Sequence, residues 1–67
     1  MILTEKQLAL AKMIAEAKSN RQICDITGET MNAIENQLKR IYQKLGFAGG
    51  LTTRVSLAVW YTKQYNE

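Results

Sequence analysis

The 67-residue sequence contains no histidine, no proline and a single cysteine. Without a second cysteine no internal disulfide can form. Without histidine, one thiol cannot build a structural zinc site. Chains this short bury only a modest core and usually add a staple or a partner. With disulfide and metal removed, close helix packing and oligomerisation remain. Cys24 lies between Gln22 and Asp25, beside Ile23 and Ile26, and reads as a small helix residue rather than a reactive thiol. A lone cysteine suits a reducing compartment. No run approaches the ~20 apolar residues of a membrane span. The opening "MILTEKQ" has no basic segment followed by an apolar stretch, so it is not a secretory signal. The expectation is a soluble, cytoplasmic protein without cofactor or metal.

Acidic residues are also missing from one region. Between Glu35 and Glu67 there are none, while Lys39, Arg40, Lys44, Arg54 and Lys63 all fall there. The earlier part sets Lys6, Lys12, Lys18 and Arg21 against Glu5, Glu16, Asp25, Glu29 and Glu35. The net charge of +3 is therefore unevenly spread, and an anionic partner is drawn to the second half. Catalysis finds little support. There is no histidine and no paired-carboxylate cleft, and "GFAGG" lacks the lysine and hydroxyl of a phosphate-binding loop.

What the sequence does contain is helix throughout. Thr4 and Gln7 form a capping box, with Leu3 and Leu8 as a hydrophobic staple, for a first helix over about 5–17. Leu8, Leu10, Ala11, Ile14 and Ala15 supply its apolar stripe, and Lys12 and Glu16 stand at ion-pair spacing. Ser19 and Gln22 repeat the box for a short helix over 20–27, anchored by Ile23 and Ile26. Gly28 accepts positive φ and ends it. Thr30 caps a third helix over 31–45, whose stripe is Ile34, Leu38, Ile41 and Leu45, widened by Tyr42. Gly46 closes it, and Phe47 tucks into the core. The glycine-rich link "FAGGL" follows. Thr52 or Thr53 caps a fourth helix over 53–65. This last helix is apolar on more than one side. Its surplus face signals a dimer; the alternative is a snug cap that leaves Trp60 exposed.

A short helix, a glycine turn and a longer capped helix with a basic end make a helix-turn-helix. The third helix would lie in the major groove, presenting the face opposite its stripe: Asn32, Glu35, Asn36, Lys39 and Gln43. Amides pair with adenine, lysine with guanine acceptors, and a carboxylate accepts from cytosine N4. Arg40 and Lys44 flank the face and suit phosphates.

"LTEKQLALAKMIAEAKSNRQI" is similar to the opening of the LuxR/FixJ/GerE-type helix-turn-helix domain, with Leu3, Thr4, Ile14, Ala15, Ser19, Asn20, Arg21, Gln22 and Ile23 in order and spacing. "AIENQLKRIYQKLGF" resembles that family's recognition helix, and "RVSLAVW" its fourth helix, with Arg54 at the usual arginine. The resemblance covers residues 3–61. It implies an all-α, four-helix DNA-binding domain acting in bacterial or phage transcription, single over 1–67. It implies recognition of double-stranded DNA by the third helix and homodimerisation through the fourth, by Val55, Ala58, Val59, Trp60 and Thr62. Ser19, Asn20, Arg21, Thr30, Arg40, Lys44 and Arg54 would hold phosphates. The chain reads as a free-standing member, a mobile-element version or a cut-out fragment.

Several positions depart from the family pattern. Glu35 stands where a lysine or arginine is usual, Gln37 for a histidine and Ala33 for a threonine. Thr27 and Glu29 occupy turn positions that are usually apolar, which would pass their packing to Ile26. The link before the fourth helix is longer, which can shift the dimer helix and the half-site spacing. The alternative to a DNA reader is a protein-interaction module, a heterodimer partner that modulates another regulator's DNA binding.

Overall fold

The computed structural model describes residues 2–47 and 53–65. Its element order is α1 (Glu5–Ala15), α2 (Asn20–Thr27), α3 (Met31–Leu45) and α4 (Thr53–Tyr65). Among the described residues there is no strand, and the chain is an all-α helix-turn-helix domain.

Local chemistry starts each of the first three helices. The Thr4 hydroxyl accepts from the Gln7 N–H at 3.1 Å, and the Gln7 side-chain oxygen accepts from the Thr4 N–H at 3.1 Å. Ser19 and Gln22 make the same reciprocal pair at 3.1 and 2.8 Å. Thr30 accepts from the Ala33 N–H at 3.1 Å. Each such cap is worth about 1 kcal/mol, because it satisfies end N–H groups that the helix cannot. For α4, Thr53 is the first helical residue and is buried. Thr52 and the link over 48–52 lie outside the described residues, and with them the expected shift of α4.

The helix ends hold one departure from expectation. Gly28 and Gly46 stop α2 and α3 at φ 77° and 75°. α1, however, stops at Ala15 rather than at 17. Glu16 is its C-cap, and Ala17 takes φ 64°, the one non-glycine residue with positive φ among those described. The Ala17 N–H donates to the Ile14 carbonyl at 2.9 Å and the Lys18 N–H to the Met13 carbonyl at 3.1 Å. This is a Schellman turn built on alanine, at a local cost of roughly 1–2 kcal/mol. Glu16 also takes a different partner. Its carboxylate meets the Lys18 ammonium at 3.2 Å, in place of the expected pair with Lys12.

One cluster forms the core: Leu3, Leu10, Ala11, Ile14, Ile23, Ile34, Leu38, Ile41 and Leu57. Leu8, Tyr42, Leu45 and Phe47 pack against it, half-buried. Ile26 does not join it; it is 58 % exposed. At 3.6 residues per turn, Asn20, Ile23 and Cys24 share the inward side of α2, and Ile26 falls on the far flank of Ile23. Thr27 and Glu29 satisfy the turn through polar contacts instead of apolar packing. The Thr27 hydroxyl donates to the Ile23 carbonyl at 2.9 Å and accepts from the Glu29 N–H at 3.2 Å. The Glu29 carboxylate meets Lys6 of α1 at 2.9 Å.

The helices associate as two pairs, α1 with α4 and α2 with α3, with α1 also crossing α3. Polar ties join the pairs. Gln7, only 7 % exposed, accepts from the Lys44 ammonium at 2.9 Å. The Arg54 guanidinium donates to the Asn20 side-chain oxygen at 2.6 Å and to the Lys18 carbonyl. Arg54 thereby fastens α4 to the turn that leads into α2.

Candidate nucleic-acid interface

The direction of α3 is set by its buried residues. Ile34, Leu38 and Ile41 point into the core, so the opposite side is turned to solvent. Asn32, Glu35, Asn36, Lys39 and Gln43 are all exposed along that side. Among the described residues, none of these five side chains enters a hydrogen bond or an ion pair. From Asn32 to Lys39 the helix rises about 10 Å, the length of roughly three base steps. The major groove, ~12 Å wide, admits one such helix.

The expected phosphate-holding residues fall into two groups. Arg21 and Arg40 are exposed, with no partner among the described residues. The others already have work within the fold. Ser19 and Thr30 accept from backbone N–H groups as caps, which leaves each hydroxyl hydrogen available as a donor. Asn20 gives its oxygen to Arg54 and keeps its amide hydrogens. Lys44 is held by Gln7. Arg54 spends part of its five-donor fork on Lys18 and Asn20. Sequence reasoning did not anticipate these ties. The capping box marked Gln7, but nothing local marks Lys44 as its distant counterpart, or Arg54 as that of Asn20 and Lys18.

Near Arg54 lies the half-buried Tyr42, whose phenol is raised above its ordinary value near 10. Burial is the main cause, and the positive charge of Arg54 partly opposes it.

The family follows from these features together with a direct comparison. Residues 1–60 match the family model described as bacterial regulatory proteins, luxR family. The chain belongs to the LuxR family. At that level it is a helix-turn-helix DNA-binding regulator, from a family of regulators rather than enzymes. Comparisons with curated proteins and with solved structures returned no match.

In this LuxR-family domain Val55, Ala58, Val59 and Thr62 recur along one side of α4, and Trp60 lies beside Val55 and Val59. Val55 and Val59 are 62 % and 47 % exposed. Together with Ala58, Ala15, Ala17 and Met31 they line an open depression of about 800 Å³. Trp60 is half-buried against the core and meets the Tyr65 ring edge-on at 6.5 Å. The alternative of an exposed Trp60 therefore does not hold. The Thr62 hydroxyl is turned back to the Ala58 carbonyl at 2.9 Å. No helix among the described residues is long and apolar enough to cross a membrane.

Proposed function

We propose that this domain is a sequence-specific transcription regulator that lays α3 in the major groove of double-stranded DNA and pairs as a homodimer through α4. The observation that carries this reading is the outward face of α3. Five exposed polar side chains stand along it without partners among the described residues, opposite a fully apolar buried stripe. Asn32, Glu35, Asn36, Lys39 and Gln43 are assigned to base edges. Arg21 and Arg40 are assigned to phosphates as free charges. Ser19, Asn20, Thr30, Lys44 and Arg54 contribute the donors that remain after their structural bonds. Val55 and Val59 support the dimer assignment as the exposed apolar pair of α4, with Ala58, Trp60 and Thr62 at its margins. The regulator acts where its DNA is, in the cytoplasm.

The test is a binding selection from random duplex DNA at roughly physiological salt, where non-specific binding is weak. An enriched motif with two-fold symmetry is the expected result. A folded protein that enriches nothing overturns the reading.

One observation favours a second reading, a module that pairs with another regulator. Glu35 puts a negative charge in the middle of the face that would meet phosphates, while Val55 and Val59 stay open to a partner chain. On this reading the protein sediments with its partner and lacks a DNA motif of its own.

A further inference from the structure

Glu35 is the single acidic side chain of α3. Lys39 lies one turn further on, at the spacing where a glutamate followed by a lysine can pair. The structure leaves them apart. The ion pairs among the described residues are Lys6–Glu29 and Lys18–Glu16. Glu35 is thus an exposed carboxylate without a donor among the described residues, in the middle of the outward face. An ionised carboxylate only accepts hydrogen bonds.

The major groove offers such a group few partners. Guanine N7 and O6 and thymine O4 are acceptors and oppose it. Adenine presents an amino group, but its N7 acceptor lies alongside and meets the second carboxylate oxygen. Cytosine presents its N4 amino group with no acceptor beside it on that edge. We infer that Glu35 is a specificity-determining residue that selects cytosine at one position of each half-site. This rests on the proposal that α3 reads DNA. The carboxylate weakens attraction to any duplex, since it opposes phosphate neutralisation, and returns that loss only where cytosine stands opposite.

The experiment runs the selection in parallel with the wild-type protein, Glu35→Gln and Glu35→Ala, each first shown to be folded by helical circular dichroism. The best wild-type site is then titrated with its cytosine–guanine pair replaced by thymine–adenine, which exchanges the amino group for a carbonyl of similar shape. The wild type is expected to require cytosine at that position and to lose affinity roughly tenfold on the exchange. Glu35→Gln is expected to shift the preference to adenine, whose N6 and N7 a glutamine pairs with. Glu35→Ala is expected to lose the preference there and to bind random duplex more tightly. Three proteins enriching the same motif would overturn the assignment of Glu35 while leaving the DNA-reading proposal standing. A motif from Glu35→Ala alone would also overturn it, marking the carboxylate as a block rather than a reader. No motif from any of the three would overturn the DNA-reading proposal itself.

Discussion

The α1–α4 pair and the α2–α3 pair are built on the same apolar cluster but treat their outer surfaces differently. Several polar side chains of α1 and α4 are tied to other parts of the fold. Gln7 holds Lys44, Lys6 holds Glu29, and Arg54 grips the peptide after Lys18. Along α3 the polar side chains of the outward face hold nothing among the described residues. The first pair ties several polar groups across the fold, whereas the outward face of α3 keeps its polar groups unengaged among the described residues. A helix that must meet a ligand with hydrogen bonds benefits from that division, because free donors need not be released before they can bind.

The comparison can be broken most forcefully at Leu57, the buried apolar residue that α4 contributes to the core. Leu57→Ala leaves a cavity and should cost about 2–5 kcal/mol in denaturant unfolding, a large share of what so small a domain possesses. If the loss is under about 1 kcal/mol, α4 is not held as described. The next largest effect is expected at Arg54. Arg54→Ala removes a charged donor from the Lys18 carbonyl and the Asn20 oxygen and should cost about 2 kcal/mol. Arg54→Lys should recover little, because one ammonium does not reproduce the fork. Full recovery by lysine would reduce the clamp to a charge effect.

A smaller change sharpens the comparison in the stabilising direction. Ala17 holds φ 64° at the end of α1, where glycine meets no steric penalty. Ala17→Gly should stabilise the fold by a few tenths to about 1 kcal/mol, after the greater freedom that glycine gives the unfolded chain. A lower melting temperature for this variant would contradict the turn. The smallest effect is expected from Tyr42. Its phenol is raised by burial, so the unfolded chain loses that proton at lower pH than the folded one. Its contribution is complete below about pH 10 and is lost as pH rises through the folded value. Stability should therefore decline above pH 10, and Tyr42→Phe should flatten that decline. An unchanged alkaline decline in the variant would assign it to other groups.

Much of this architecture is legible in local sequence. Thr4 with Gln7 and Ser19 with Gln22 announce helix starts through atoms three residues apart, and Gly28 and Gly46 announce ends through a conformation that glycine favours. The Ile34–Leu38–Ile41 stripe fixes which side of α3 is buried, and therefore which polar residues face out. The candidate site was readable for that reason. The features that escape are of two kinds. Some are long-range: the grip of Arg54 on Lys18 and Asn20, and of Gln7 on Lys44, joins segments whose meeting no local pattern signals. Others run against propensity. Alanine is the best helix former, so nothing marks Ala17 as a left-handed stop. Ile26 misleads because α2 has only two turns. Ile23 and Ile26 are spaced as one face would be, but the neighbours of α2 cover only one flank of Ile23.

The central claim is that the α3 face binds while the α1–α4 pair supports it. The most direct measurement is an NMR titration of the labelled domain with a short duplex. It would follow the side-chain amide signals of Asn32, Asn36 and Gln43 beside the methyl signals of Leu10, Ile14, Leu57, Val55 and Val59. The account predicts large changes at the three amides and at the Glu35 and Lys39 backbone signals, with the core methyls unmoved. Changes confined to Val55 and Val59, with the α3 amides silent at saturating duplex, would contradict it.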